Sequence, residues 1–358
     1  ESHFMITFCA GFLYFMCRAV TTKKISDYFM AGIFAGLSFY SYALSYIAVP
    51  VFIVLFIGHL WIKKKIDVKK VLVFMAPVVF MGIPLLVVQL INIFDLETLV
   101  IGRITFPKFL VYRSYELGLS RFFTNMYEAF INTNFYEKTT HLCIPGFGNL
   151  YFISIPFLMI GFISHCKKFK DNEFSGACVL WIISMYVLAG LLQEEGALNN
   201  TRLNALYIGK IACLIEGIRI SLNALKKGRK WANIGLISAY GLCFVLFISF
   251  YFTKYDLDTQ SNLFMETYED LPEIKEDIYL PDNYCYFLWS NKVNPYEFDI
   301  NKNGYANHKN YHIGYQKIST NGNYLISKED FVSQDTLNKL GFMQEQELEH
   351  FYLYAFQN

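Results

Sequence analysis

Long apolar segments separated by short basic turns form the main pattern of this chain. Residues 28–62 are apolar over about 35 positions between lysines on both sides, whereas one membrane-spanning helix takes roughly 20 residues. Basic residues at both ends favour the same, cytoplasmic side of a membrane for the two ends. The chain is therefore predicted to turn back inside this segment, at the polar residues 41–45, with Pro50 opening the return helix.

The same pattern predicts about eight membrane-spanning helices. They cover residues 4–20, the two arms of the 28–62 hairpin, 71–91, 150–163, 177–192, 202–220 and 231–251. Alternate connections are rich in lysine and arginine, namely residues 21–27, 63–70, 165–173 and 222–230. Eight crossings place all four basic connections on the cytoplasmic side, as the positive-inside rule requires. The outer face then carries the N-terminus, a long amphiphilic loop at 93–148 and everything from residue 255 onward.

Composition supports a membrane protein with a second, different part. The chain of 358 residues is 54% hydrophobic, 18% aromatic and only 17% charged, which is far more apolar than an ordinary soluble protein. Residues 256–358 contain 17 acidic and 7 basic residues, whereas residues 1–255 are net basic. Such a difference in net charge indicates that the two parts of the chain lie in different environments. We therefore expect a transmembrane domain over 1–255 and a soluble domain over 256–358, outside the cytoplasmic membrane.

The acidic soluble part mixes helix-like and strand-like signals and predicts a small α+β domain. Helices are expected at residues 261–271 and 335–342, the second ended by Gly341, and strands at 278–281, 284–289, 311–315, 323–327 and 350–356. The fold class is thus an all-α polytopic membrane bundle followed by a small α+β domain. Because that domain is acidic, a nucleic-acid partner is not expected.

Neither a metal nor another cofactor is indicated by the sequence. No two of the eight cysteines have metal-ligand spacing, and those in apolar segments are interpreted as small hydrophobic residues. His308 and His312 are four residues apart, but a loop or strand is predicted there, which disfavours a metal site. The chain starts at Glu1, directly before an apolar segment and without the features of a signal peptide. We interpret it as the C-terminal piece of a longer protein.

Charged groups at the predicted outer edge of the membrane are the first candidates for chemistry. Arg202 stands where the seventh span begins, and Lys210 lies two turns deeper, where a charged side chain costs roughly 2.5–3.5 kcal/mol. Because arginine binds phosphate with a two-pronged fork, the functional interpretation is a clamp for the phosphate of a lipid carrier. The alternative is a membrane anchor or an ion pair with Glu194, Glu195 or Glu216.

The outer loop adds a second group of candidates. Arg103 and Arg113 lie there among aromatic residues, as do Lys108 and Arg121. Such a mixture suits an interfacial helix that binds an anionic lipid headgroup. Ordinary snorkelling of basic side chains to the membrane surface explains the same pattern equally well.

A third group lies at the predicted outer mouths of the spans. Glu1 and His3 precede the first span, and His141 comes shortly before a Pro-Gly pair in the outer loop. A carboxylate or imidazole in these places could bind sugar hydroxyls or orient an acceptor. Each is equally explained as a solvated loop residue.

Five degenerate, mostly apolar segments carry a resemblance to a known family. They are ESHFMITFCAGFLYFMCRA at 1–19, AGIFAGLSFYSYALSYIAVPVFIVL at 31–55, ITFPKFLVYRS at 104–114, HLCIPGFGNLYFISIPFLMIGF at 141–162 and NNTRLNALYIGKIACLIEGI at 199–218. Together they resemble the bacterial C-type membrane glycosyltransferases related to dolichyl-phosphate-mannose–protein mannosyltransferases and the lipid A aminoarabinose transferases. The resemblance covers roughly residues 1–255 and implies a fragment of the C-type fold, with residues 104–114 matching the outer-loop helix of the family.

The resemblance implies transfer of a sugar, with inversion, from a polyprenyl-phosphate carrier to a protein, lipid or glycan acceptor on the extracytoplasmic face. In the family an aspartate of the first outer loop acts as base or orients the acceptor. That residue would lie upstream of Glu1, so no catalytic residue is identified and this chain alone is expected to be inactive. The carrier phosphate would be held by Arg103, Arg113, Arg202 and Lys210, and the acceptor or sugar side would be lined by Glu1, His3 and His141.

Two other classes of function stay open. A transporter or flippase for lipid-linked oligosaccharides would need a polar path through the bilayer, for which Lys210 and Glu216 are the deeply placed charges. A non-catalytic membrane receptor would use the acidic tail to bind a ligand or partner. The genomic sequence upstream of Glu1 separates them, because further spans and an outer loop with aspartate favour the enzyme.

Overall fold

The computed structural model describes residues 2–108, 117–135, 149–192, 202–225, 228–255, 277–280, 292, 299–300, 306–313, 322–328, 331–348 and 351–356. Contacts divide the chain into two compact units. The first unit contains the helices up to Tyr255, and the second contains a sheet formed after Asp256. Each unit has a hydrophobic core of its own.

The described part of the first unit contains nine α-helices. They are α1 (Ser2–Thr22), α2 (Ile25–Phe39), α3 (Ser45–Ile62), α4 (Val68–Ile93), α5 (Phe122–Asn134), α6 (Ile155–Lys167), α7 (Glu173–Leu191), α8 (Leu206–Ala224) and α9 (Arg229–Phe250). Five of these, α1, α3, α4, α7 and α9, are long and apolar enough to cross a membrane. This agrees with a membrane bundle of helices. The other apolar helices, α2 and α6, are shorter.

The turn predicted inside the long apolar segment is present between α2 and α3. The hydroxyl groups of Ser41 and Ser45 both donate to the carbonyl of Ser38, at 2.6 and 2.8 Å, so the polar groups of the turn are satisfied inside the bundle. The expectation that Pro50 opens α3 is wrong. The helix starts five residues earlier because the Ser45 amide already bonds the carbonyl of Tyr42, at 3.0 Å.

Two of the basic turns meet at one end of the bundle. Lys63 donates to the carbonyls of Phe169 and Lys170, and Lys65 forms an ion pair with Glu173 at the start of α7. Arg18 forms a further ion pair at 3.3 Å with the buried Asp27, next to the α1–α2 turn. Carboxylates and carbonyl groups thus join basic turns that are far apart in the sequence.

Helices α6 and α8 touch backbone to backbone. A Cβ atom at Gly161 would lie 1.7 Å from the carbonyl oxygen of Cys213, and one at Gly217 would lie 1.8 Å from that of Phe157. No residue other than glycine fits at these two positions without separating the helices. Small residues allow the same close packing in many membrane helix pairs.

The described part of the predicted outer loop contains a short hairpin and one helix. Strand β1 (Leu99–Ile101) pairs antiparallel with β2 (Ile104–Phe106) across a turn in which Gly102 has φ +62°. The helix expected from the family resemblance at 104–114 is therefore wrong over residues 104–106, where β-branched residues form a strand that Pro107 ends. Residues 109–116 and 136–148 lie outside the described residues.

The second unit contains seven described strands in one mixed sheet. They are β3 (Ile278–Leu280), β4 (Asp299–Ile300), β5 (Ala306–His308), β6 (Tyr311–Ile313), β7 (Asn323–Ser327), β8 (Phe342–Glu347) and β9 (Phe351–Phe356), in the order β4-β5-β6-β3-β7-β9-β8. Strand β3 runs parallel to both of its neighbours, and the other pairs are antiparallel. The strands predicted near 278, 311, 323 and 350 are confirmed, whereas residues 261–271 and 284–289 lie outside the described residues.

Among the residues that the structure describes here, one helix packs on this sheet. Helix α10 (Phe331–Lys339) connects β7 to β8, and its Leu337 joins Tyr324 and Phe342 in the core of the unit. The helix predicted at 335–342 therefore exists but starts four residues earlier. It ends before Gly341, which has φ +88°, a conformation that glycine adopts at little cost.

Candidate functional site

A buried lysine lies near the start of α8, opposite the end of α5. Lys210 is 2% exposed and follows the first turn of α8. Its ammonium nitrogen donates to the carbonyl oxygen of Thr133 at 2.9 Å and to the hydroxyl of the same residue at 2.7 Å. A third bond reaches the side-chain oxygen of Asn134 at 3.0 Å. Three acceptors therefore surround one nitrogen.

The hydrogen-bond pattern fits a protonated Lys210. The hydroxyl hydrogen of Thr133 is given to the carbonyl of Ala129, at 2.6 Å, so its oxygen accepts from the lysine. The amide group of Asn134 donates to the carbonyl of Phe130, at 2.7 Å, which leaves its oxygen facing the lysine. Because all three partners accept, the nitrogen supplies three N–H groups, as only an ammonium does.

The position of this ammonium follows from the end of α5. The last carbonyl groups of a helix have no partner within the helix and carry a partial negative charge. Thr133 and Asn134 are the last two residues of α5. Lys210 therefore caps the C-terminus of α5 and ties it to α8.

Hydroxyl groups and aromatic rings surround the lysine. The ring centre of Tyr207 lies 5.5 Å from the ammonium nitrogen, and its hydroxyl accepts a bond of 2.7 Å from the amide of Asn149. The hydroxyl of Tyr186 in α7 lies 3.5 Å from that of Thr133. The site thus offers several neutral groups that can bond a polar ligand.

The cation has no carboxylate partner among the residues that the structure describes. The alternative of an ion pair between Lys210 and Glu216 is wrong, because Glu216 bonds Arg219 twice at 2.8 Å and Lys168 at 2.8 Å. The other two acids considered, Glu194 and Glu195, lie outside the described residues. Burying a charge among neutral groups is costly unless a ligand or partner supplies the opposite charge.

The other candidate residues are spread over the chain. Arg202 is half-buried in the turn directly before α8, and Arg103 is exposed in the β1–β2 turn, where it makes no contact with Lys210 in the described part of the chain. His3 lies in α1, but its side chain is outside what the structure describes. The candidates that fall outside the described residues altogether are Glu1, Arg113 and His141.

Sequence reasoning missed the partners of Lys210. Thr133 and Asn134 belong to the polar run 132–134, which ends the amphipathic helix α5. A polar run at a predicted helix end is a signal for exposed backbone carbonyl groups. It does not tell which distant cation will bind them.

The chain was also compared with known proteins. No family model, no curated protein and no solved structure matches it. Function is therefore inferred from the residues of the chain itself and from the resemblance of its apolar segments.

Proposed function

We propose that the chain is the membrane core of a glycosyltransferase that moves a sugar from a polyprenyl-phosphate carrier to an extracytoplasmic acceptor. The single observation that supports this proposal is Lys210, a protonated lysine buried at 2% exposure among neutral oxygens. An ionisable group placed inside a membrane domain by default faces a cavity, a partner or a ligand. A carrier phosphate would supply the missing negative charge.

In this proposal α2, α6 and α8 also cross the membrane, which gives eight crossings with the basic turns in the cytosol. The geometry along α7 supports the outer location of the lysine. Glu173 binds a lysine of a basic turn at the start of α7, and Tyr186, which contacts Thr133 beside Lys210, lies thirteen residues later. Thirteen helical residues span about 20 Å, which supports a position of the lysine away from the end that carries the basic turns. In the proposal, the eight crossings put residues 256–358 on the outer side.

The proposed transfer reaction needs a positive charge next to the carrier phosphate. The bond between the anomeric carbon and the phosphate oxygen breaks as the acceptor oxygen attacks the opposite face of the sugar. The phosphate leaves with additional negative charge, and a preorganised ammonium stabilises that charge. Replacing one neutral oxygen around Lys210 by a phosphate oxygen adds the attraction of opposite charges to the hydrogen bond from the ammonium. In the proposal Arg103, Arg113 and Arg202 add to this charge, and Glu1, His3 and His141 line the sugar or acceptor side.

Transfer from radiolabelled polyprenyl-phosphate sugars tests the proposal. The assay uses the complete product of the gene in membranes, because the resemblance places the catalytic aspartate ahead of Glu1. Lys210→Met is expected to lower transfer at least 100-fold while the amount of inserted protein stays unchanged, and Lys210→Arg should retain part of the activity. Lys168→Met, at a lysine after α6 that pairs with Glu216, serves as the control and is expected to leave transfer intact.

Two results would overturn the assignment. Unchanged turnover in Lys210→Met would remove this lysine from the site. Movement of a lipid-linked sugar across the bilayer, without transfer to any acceptor, would favour the transporter instead.

A further inference from the structure

Three metal-binding side chains meet inside the bundle, away from Lys210. His165 of α6, Cys178 of α7 and Cys213 of α8 are all buried, and one ring nitrogen and the two sulfur atoms lie within 4.8 Å of one another. We propose that these three residues form a binding site for Zn²⁺. The site is independent of the proposed transfer reaction.

The distance between the two sulfur atoms fits one shared metal ion. Sγ of Cys178 and Sγ of Cys213 are 3.6 Å apart, which is too far for a disulfide bond of about 2.05 Å. Zinc binds sulfur at about 2.3 Å in a tetrahedral arrangement, which places two sulfur ligands about 3.7 Å apart. The thiolates therefore need almost no movement to bind the same ion.

His165 provides the second, independent observation. Its Nδ1 lies 3.0 Å from the hydroxyl of Ser175, while its Nε2 is buried without a well-aligned hydrogen bond among the described residues; the backbone of Ala212 also interacts with the ring. The ring as a whole is 4% exposed. When Nδ1 donates its proton to an oxygen, Nε2 keeps a free lone pair, which is the arrangement that metal-binding histidines show. A metal ion would satisfy a nitrogen that is otherwise costly to bury.

The close packing of α6 against α8 holds two of the ligands in place. Gly161 lies one turn before His165 and would touch the carbonyl of Cys213 if it carried a side chain. Gly217 lies one turn after Cys213 and makes the reciprocal contact. Ligands on helices that cannot slide are preorganised, which favours metal binding.

A cavity reaches the histidine of the site. It measures about 460 Å³ and is lined by His165, Ser175 and Ala212 on the ligand side and by Lys168, Glu216 and Arg219 at its polar side. Three protein ligands with an open fourth position are typical of zinc sites that keep a water or exchange their ligand. Zinc with two thiolates and a neutral imidazole has no net charge, which limits the cost of burial.

Metal content of the full chain, purified in detergent without chelators, tests the site. We expect about one zinc per chain by mass spectrometry. Cys178→Ser and Cys213→Ser should each lose the metal, whereas Cys9→Ser, at an equally buried thiol in α1, should retain it. Cobalt added to the metal-free protein is expected to show thiolate-to-cobalt absorption bands that the two serine variants lack.

Two further measurements keep the test independent of how well the variants fold. In the unaltered protein, Zn²⁺ should slow the alkylation of Cys178 and Cys213 relative to a chelator, without changing that of Cys9. Ser175→Ala removes no ligand but frees the histidine ring, and should weaken zinc binding about 10- to 100-fold.

The proposal is overturned if the purified chain carries no zinc and takes up neither zinc nor cobalt. A disulfide bond between the two cysteines, or alkylation rates that zinc and chelator leave equal, would overturn it as well.

Discussion

Two positions on α8, six residues apart, carry charges in opposite ways. Near the start of the helix, Lys210 is 2% exposed and bonds only neutral oxygens among the described residues. At the middle of the helix, the side chain of Glu216 is 13% exposed and bonds Arg219 and Lys168, whose side chains are 57% and 47% exposed. Among the described residues, one helix therefore holds a buried cation with neutral partners and an ion-paired carboxylate whose partners reach the surface.

The two positions differ in what holds α8 in place. At Lys210, hydrogen bonds from a side chain join α8 to α5. At Glu216, glycine contacts already bring α8 against α6, and ion pairs with exposed partners usually add less than about 1 kcal/mol. Removing charge should therefore matter at Lys210 and little at Glu216.

The largest effect is expected at the glycine contact between α6 and α8. Gly161→Ala adds a methyl group 1.7 Å from a backbone oxygen, and backbone cannot move aside as a side chain does. We expect a loss of stability of about 3 kcal/mol or more, at the upper end for overpacking. Thermal unfolding in detergent measures it, with Gly241→Ala in α9 as the control, since a side chain there meets nothing within 4 Å. Equal stability of the two variants would show that the helices are not in backbone contact.

The next largest effect is expected at Lys210. In Lys210→Met the oxygens of Thr133 and Asn134 lose a partner while they stay buried, which costs about 1–3 kcal/mol. Thr133→Val removes one of the same bonds, so the double variant should lose less stability than the sum of the single variants. The unfolding midpoints of the parent, the two single variants and the double variant measure the interaction energy between the two side chains. Strict additivity would mean that the two side chains do not interact.

A small effect is expected at Glu216. Glu216→Gln keeps the shape of the side chain and removes a charge whose partners are half-exposed. We expect a loss of less than about 1 kcal/mol, and it should shrink further in 1 M salt, where exposed charges are screened. A loss larger than that of Lys210→Met would contradict the expectation that the charge at Lys210 matters more for stability than the charge at Glu216.

The smallest effect is expected at Asp67, outside the membrane helices, which serves as a reference. This residue caps α4, and the Lys70 side chain and backbone amide hydrogen-bond its carboxylate and lower its pKa. Because the folded pKa lies below the ordinary value of about 3.9, the stabilisation is present above that value and is lost as the pH falls through the folded pKa. Asp67→Ala should therefore unfold slightly earlier than the parent at pH 7 and together with it at pH 2. A difference that persists at pH 2 would exclude the charge as its cause.

The positions of the apolar helices followed from the sequence because they depend on local hydropathy, whereas α5 was missed inside the predicted outer loop because it has no long apolar stretch. The α2–α3 turn is set by serines that lie within one apolar segment. Strand β8 was missed because its FMQEQE sequence buries only Phe342, so the period-two alternation of a half-buried strand is absent.

The contacts of Lys210 and of the three metal-binding residues could not be predicted from the sequence, because they depend on which face of each helix meets its neighbour. Helices α7 and α9 have similar mean hydropathies of 1.9 and 2.0, yet 72% of the first span is buried and none of the second. Hydropathy alone therefore does not distinguish the buried helix α7 from the exposed helix α9. Cys178 and Cys213 are 35 residues apart on separate helices, so no spacing rule connects them.

Binding of a short-chain polyprenyl phosphate to the chain in nanodiscs tests the role of Lys210 most directly. The uncharged polyprenol of the same length isolates the contribution of the phosphate, and Lys168→Met controls for general loss of positive charge. We predict that the parent and Lys168→Met bind the phosphate at least tenfold more tightly than the alcohol, and that Lys210→Met loses most of this preference. A Lys210→Met protein that keeps the full preference for the phosphate would contradict the account.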